Sequence, residues 1–256
     1  MFTHALLRLP GANFAAGLTQ AGEGAPDPEL ALEQHRAYCE ALSDCGLSLT
    51  ILPADLAHPD GCFVEDTALV TERGAIVTRP GAPSRRGEVD VIEAALKGLF
   101  HDIPSISAPG TVDAGDVCEA DGHFLVGLSA RTNEEGAVEL AHLLEDLGYR
   151  SNILDIRSAR GLLHLKTGIA YLGEGRMLAT GDIPRGPALS SYEIIDVPAG
   201  ERYAANALRV NDQVLVADGY PGTRAAIEAL GFSVIALEMS EFRKLDGGLS
   251  CLSLRW

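Results

Sequence analysis

DVCEADGHFLVGLSARTNEEGAVELAHLLEDLG, residues 116–148, holds the strand, turn and helix signals of one whole structural unit. Residues 118–127 place two short apolar runs about Asp121-Gly122 and read as a β-hairpin, because such a turn reverses the chain with the twist that strands need. Residues 133–147 then change period: Val138, Leu140, Leu143, Leu144 and Leu147 make an apolar helical face that Gly148 ends. In order, the stretch supplies a polar residue, a strand, a turn, a second strand, Gly, Arg and a helix.

The same order recurs outward from it. TALV (67–70) and AIVTR (75–79) flank TERG and precede a helix over 88–99. GIAYLGEGRMLAT (168–180) repeats the hairpin but not the helix, and NALRVNDQVLVADG (206–219) precedes a helix over 223–230. An early helix near 27–45 carries Leu30, Leu32, Tyr38, Ala41 and Leu42, with Pro28 at its start. Asp66 precedes Arg85 by 19 positions, Asp116 precedes Arg131 by 15, and Asn206 precedes Arg224 by 18. The final GGLSCLSLRW offers one more strand, which can complete a unit with the N-terminal LLRL. Some five units of about 40 to 50 residues suggest a closed ring with its polar strand-starts on the axis. An ordinary mixed sheet gives similar hairpins. No Gly/Pro-rich segment is long enough to be a linker, so residues 1–256 read as a single domain.

The 256 residues include 36 acidic and 20 basic side chains, for a net charge of −16, which disfavours nucleic acid and favours a small cationic ligand. No apolar run is long enough to span a membrane. The opening MFTHALLRLPGANF has neither a basic n-region nor a separate h-region, so the expected location is the cytoplasm. Five irregularly spaced cysteines without CxxC argue against a disulfide framework or a zinc cluster. GxxxxGK[ST], HExxH, GxSxG and GxGxxG are all absent.

Three polar clusters stand out. HPDGCFVED (58–66) holds Asp60, Glu65 and Asp66, which repel one another unless a cation sits among them; a planar guanidinium fits that need. The bland alternative is a turn at Asp60-Gly61 and a solvated strand end. TVDAGD (111–116) and LLHLKT (162–167) pair Asp113 with His164, a histidine that is either a satisfied core residue or a base whose ring a carboxylate orients. DGGLSCLSL (246–254) sets Cys251 behind a Gly-Gly-x-Ser, either an inert buried thiol or a nucleophile for an electrophilic carbon. Arg79, Arg85, Arg86 and Arg131 are candidates to clamp a carboxylate.

FVED (63–66), TRPGAPSRRGE (78–88), TVDAGD (111–116), GLSARTNEEGA (127–137), HLKTG (164–168) and LDGGLSCLSLR (245–255), with Leu18-Thr19 and ALEQHRAY (31–38), stand together in one order. By them the sequence resembles the dimethylarginine dimethylaminohydrolases, within the guanidine-modifying superfamily of pentein fold, and most of all the short bacterial members. The resemblance implies an α/β fold, a five-bladed α/β propeller of pseudo-fivefold ββαβ repeats, with the active site at its centre. It implies Cys251 as nucleophile, His164 as acid/base and Asp113 as the acid orienting that histidine. It further implies Asp60, Glu65 and Asp66 as guanidinium ligands, Arg85 and Arg131 as holders of the α-carboxylate, Leu18 in a lid loop and Ser250 at the reacting end. The implied reaction releases L-citrulline from methylated arginines through a Cys thiouronium, with no cofactor and no metal. The partner is a small cationic amino acid, and a homodimer is left open. An arginine deiminase-like hydrolase and a non-catalytic pentein akin to ribosome anti-association factors are the rival readings.

Overall fold

The computed structural model describes residues 1–159 and 161–256. Its elements fall into five units. β1 (His4–Arg8), α1 (Pro28–Asp44) and β2 (Ser48–Leu52) open the chain. β3 (Ala68–Thr71), β4 (Gly74–Val77) and α2 (Val89–Lys97) follow. The third unit is β5 (Val117–Ala120), β6 (His123–Leu128), α3 (Glu134–Asp146) and β7 (Arg150–Asp155). The fourth is β8 (Ile169–Gly173), β9 (Arg176–Ala179) and β10 (Glu193–Asp196). The fifth is β11 (Leu208–Val210), β12 (Gln213–Ala217), α4 (Pro221–Ala229) and β13 (Ser233–Leu237). A short α5 (Ser240–Arg243) leads to β14 (Leu254–Arg255).

One wiring serves them all. β5 pairs antiparallel with β6, and β6 pairs parallel with β7 after the α3 crossover. A helix between two strands carries the chain back to the same end, so the second and third strands run alike. β8-β9-β10 and β11-β12-β13 repeat the pattern, and β14-β1-β2 repeats it with strands from both ends of the chain. β3-β4 has a parallel bridge from Val77 to Ser105 in place of a third strand. The fourth unit crosses with a 3-10 turn at Pro187–Leu189 and no α-helix, because Pro184, Gly186 and Pro187 break the run. Asp121 (φ 51°) and Gly122 (φ 73°) form the left-handed turn that the β5–β6 hairpin requires.

The cores lie between units. Val117 and Val126 pack with Leu69 and Ile76 of the second unit, whereas Cys118 and Leu125 pack with Ile169 and Met177 of the fourth. Alternate residues of one strand thus feed both neighbours, which is why the inner strands read as continuous apolar runs. Two helical faces differ from the sequence reading. Val138 is exposed, because the buried face of α3 runs through Ala137, Leu140 and Leu144, one helical step away. In α1, Leu30 is exposed while Gln34 and His35 are buried: Gln34 donates to Ser240 Oγ at 2.8 Å and accepts from Glu241 N at 3.1 Å.

Short 3-10 turns precede the inner strand of every unit: Val64–Thr67, Ala114–Asp116, Leu165–Thr167, Arg202–Ala205 and Ser250–Leu252. They pack against one another around the axis, and Asn206 joins the fifth unit's turn to Ser250. With the apolar cores placed between units, this inner ring is where polar side chains collect.

Candidate active site

His164 enters the fourth turn with extended backbone and is 6% exposed. Its Nε2 lies 3.0 Å from Asp113 Oδ2 and 4.0 Å from Asp66 Oδ1. Burial opposes charge on the ring, but the Asp66, Asp113 and Asp116 carboxylates outweigh it and raise His164 to about 9. Asp66 accepts from Gly115 N at 3.0 Å and from Arg85 Nη1. Burial favours its neutral acid, yet the charges of His164 and Arg85 bring it down to about 2. At neutral pH the pair is therefore carboxylate and imidazolium. Gly115 of TVDAGD permits this approach: a Cβ there would stand 2.7 Å from Asp66 Oδ1 and 2.8 Å from His164 Nδ1.

Cys251 sits in the Ser250–Leu252 turn, its N–H donating to Gly248 O at 3.2 Å. Both preceding glycines are sterically required: a Cβ on Gly247 would lie 2.2 Å from Phe63 Cε1, and one on Gly248 would lie 2.6 Å from Asn206 Cγ. Burial, then the Glu65 and Asp66 charges, push the Cys251 thiol up to about 12. All five cysteines are free. Burial also raises Cys39 and Cys118 to about 11, so neighbours rather than acidity distinguish Cys251.

Glu65 and Asp66 adjoin in sequence but serve different partners. Glu65 accepts from Ser250 Oγ at 2.8 Å and pairs with Lys166 Nζ at 2.7 Å and Arg255 Nη2 at 3.4 Å. It borders a cavity of about 630 Å³ on the ring axis, lined also by Lys166, Ser250 and Arg255 but by neither Cys251 nor His164.

On the Asp66 side lie Asp60, Leu18, Arg85 and Arg131. Asp60 Oδ1 accepts from Leu18 N at 3.0 Å; burial raises its carboxyl, against the pull of Arg85 and Arg131. Leu18 is exposed, on a segment tied to α5 and the residues after it: Thr19 Oγ1 donates to Lys244 O at 2.7 Å, Gln20 N to Asp246 Oδ2 at 2.6 Å, and Arg243 Nε to Glu23 at 2.7 Å. Of its glycines, Gly22 and Gly24 have positive φ in open surroundings, whereas Gly17 serves close approach to Asp60 and Leu245. Arg85 is buried and donates to Asp66, to Glu88 at 2.8 Å through Nη2, and to Phe63 O at 3.0 Å, leaving one Nη1 hydrogen. Arg131 Nη1 lies 3.9 Å from Asp113 Oδ2. Sequence reasoning passed over Glu88 and Lys166, although Glu88 stands at the i+3 position that pairs with Arg85 on a helical turn.

Five units on one ββαβ plan, the second with a bridge for its third strand and the fourth without its α-helix, surround a polar axis that carries a cysteine, a histidine and buried acids, and define an α/β propeller of the pentein class. No family model matches the chain. It nevertheless belongs to the dimethylarginine dimethylaminohydrolase family, being 46% identical over 257 residues, 100% of both chains, to the N(G),N(G)-dimethylarginine dimethylaminohydrolase of Pseudomonas aeruginosa. It is 35% identical to the Streptomyces coelicolor protein of the same name, over 98% of this chain and 96% of that one. A solved structure of the P. aeruginosa enzyme, a Cys-to-Ser variant complexed with citrulline, superposes with a TM-score of 0.96 at 45% identity and full coverage of both chains.

Proposed function

We propose that this protein hydrolyses N-ω-methylated L-arginines, asymmetric dimethylarginine and monomethylarginine, to L-citrulline and dimethylamine or methylamine. What supports the reading, beside the kinship, is His164: buried, charged, 3.0 Å from Asp113, and sharing with Cys251 the field of Asp66.

A guanidinium carbon is a weak electrophile because its charge spreads over three nitrogens. In this reading Asp60 and Asp66 grip the guanidinium edge and fix its plane, and Glu65 contributes by holding Ser250 at the reacting end. Arg131 and the remaining Nη1 hydrogen of Arg85 take the α-carboxylate, and the Leu18 segment covers the site. The arriving cation stabilises the Cys251 thiolate, the thiol proton passes to solvent, and Sγ attacks the guanidinium carbon. The C–N bond to the methylated nitrogen breaks as His164 donates its proton to that nitrogen. Water then attacks the thiouronium carbon and His164 takes one of its protons; the S–C bond breaks as the new hydroxyl becomes the carbonyl and gives its proton to solvent, leaving citrulline and the free thiolate. No helix among the described residues is long and apolar enough to cross a membrane.

The test is citrulline release from asymmetric dimethylarginine, monomethylarginine, arginine and agmatine. Turnover of the two methylated substrates in preference to the others is the expected result; inert methylarginines overturn the reading. Cys251→Ser is expected to bind methylarginine without turnover, and His164→Gly to stall after attack. Citrulline production by either variant at the parent rate removes that residue from the mechanism.

A further inference from the structure

The polar residues at the unit starts share a contact. Asp66 accepts the backbone N–H of Gly115 at 3.0 Å, Asp116 that of Leu165 at 2.9 Å, and Asn206 that of Ser250 at 2.9 Å. Each reaches from its own turn to the turn of the next unit, so the position is a strut between blades. Asp116 has a second set of partners. Its Oδ2 accepts from Ser129 Oγ at 2.6 Å and Thr132 Oγ1 at 2.7 Å. Thr132 Oγ1 in turn accepts from Asp113 N at 3.2 Å, and Ser129 Oγ from Arg131 N at 2.9 Å. One fully buried carboxylate is thus bonded to the residue after His164 and, through one hydroxyl each, to the backbones of Asp113 and Arg131.

We propose that Asp116 is a positioning residue of the reaction: it holds Asp113, His164 and Arg131 at their working separations and sustains the charge on the His164 ring. The inference rests on the roles given to those three residues under Proposed function. It follows from geometry and charge together. Leu165 cannot shift without breaking its bond to Oδ1, so the turn that presents His164 is set by the third unit. The groups facing His164 are Asp66, Asp113 and Asp116, with Arg85 and Arg131 behind the first two. Among the described residues Asp116, unlike Asp66 and Asp113, has no arginine partner; hydroxyls and an N–H hold it, and although burial raises its carboxyl to about 6 it stays ionised at neutral pH.

Asp116→Asn keeps the shape and removes the charge. The expected result is a fall in kcat for methylarginine of about tenfold or more, since small misplacements at a reacting centre cost up to roughly 100-fold. KM should move far less. The basic limb of the kcat profile, where His164 loses its proton, should shift to lower pH, and an NMR titration of the His164 ring in the free protein should shift the same way. Parent-like kcat with an unmoved ring titration overturns the proposal, as does a proportional change in kcat and KM with an unmoved limb. The ring titration needs no turnover, so parent protein inert toward methylarginine would refute the proposed function and leave this reading of Asp116 separately testable. If Asp116→Asn does not fold, Thr132→Val cuts the relay to Asp113 while keeping the carboxylate. It should lower kcat severalfold with the basic limb unmoved, and unchanged kcat overturns the proposal.

Discussion

Burial and the Glu65 and Asp66 charges favour a neutral Cys251 thiol, and in the proposed mechanism a bound guanidinium is what ionises it. With the thiol pushed up to about 12, only about one molecule in 40,000 carries a thiolate at pH 7.4. A guanidinium brought to about 4 Å from the sulfur stabilises the thiolate by roughly 4 kcal/mol at an effective dielectric near 20, or about three pKa units. The reactive fraction then rises to about one in 40, a thousandfold gain produced only where the cation is bound. Two measurements follow the chain of reasoning. Alkylation by a neutral reagent, resolved by residue with mass spectrometry, should give a Cys251 rate that climbs with pH and inflects above the ordinary cysteine value. Binding of an unreactive guanidinium ligand near pH 8.5 should raise thiolate absorbance in the parent but not in Cys251→Ser. An alkylation inflection at or below pH 8 would mean a resting thiolate–imidazolium pair and would refute the argument. So would ligand binding without a rise in thiolate absorbance.

The His164 ring, raised from 6.5 to about 9, contributes stability that is complete below pH 6.5 and lost as pH rises through 9, amounting to about 3 kcal/mol. Urea melts at pH 6 and 9.5 should show that loss in the parent and a flatter dependence in His164→Asn. Gly247→Ala places a methyl 2.2 Å from Phe63, whose ring is held 6.1 Å from Phe14 and 6.2 Å from Phe242. It should cost about 1–3 kcal/mol in the urea midpoint and slow turnover by moving the Cys251 turn. Arg85→Ala leaves Asp66 and Glu88 buried without their cation and should cost about 3–5 kcal/mol. Adding Asp66→Asn and Glu88→Gln should restore part of that loss, and no recovery would place the cost in packing.

The repeat was readable because each unit is local. Asp121-Gly122 and Asn211-Asp212 mark reversals by their turn chemistry, and the change from period 2 to the helical period needs only neighbours along the chain. Even the pairing of β14 with β1 was foreshadowed by a leftover strand at each end. The helical faces were less secure. Hydrophobicity marked Leu30 and Val138 for burial, while α1 buries Gln34 and His35, because the docked α5 segment supplies the hydrogen bonds that Gln34 needs. That partner lies 206 residues away, beyond any window.

The five units, the residue types at their starts and the motifs around Cys251, His164 and Asp113 are written in local sequence. The charges those residues carry and the partners they keep arise only from the assembled ring. Glu65 and Asp66 are adjacent, yet a 3-10 turn rotates successive side chains by about 120°, so one faces Lys166 and Arg255 and the other His164 and Arg85. Arg85 reads as an open clamp until Glu88 and Asp66 are seen to claim most of its donors. Protonation depends on burial and on charges brought together across blades, and neither exists in the extended chain; that is why the carboxylate, the imidazolium and the neutral thiol became visible only when the ring closed.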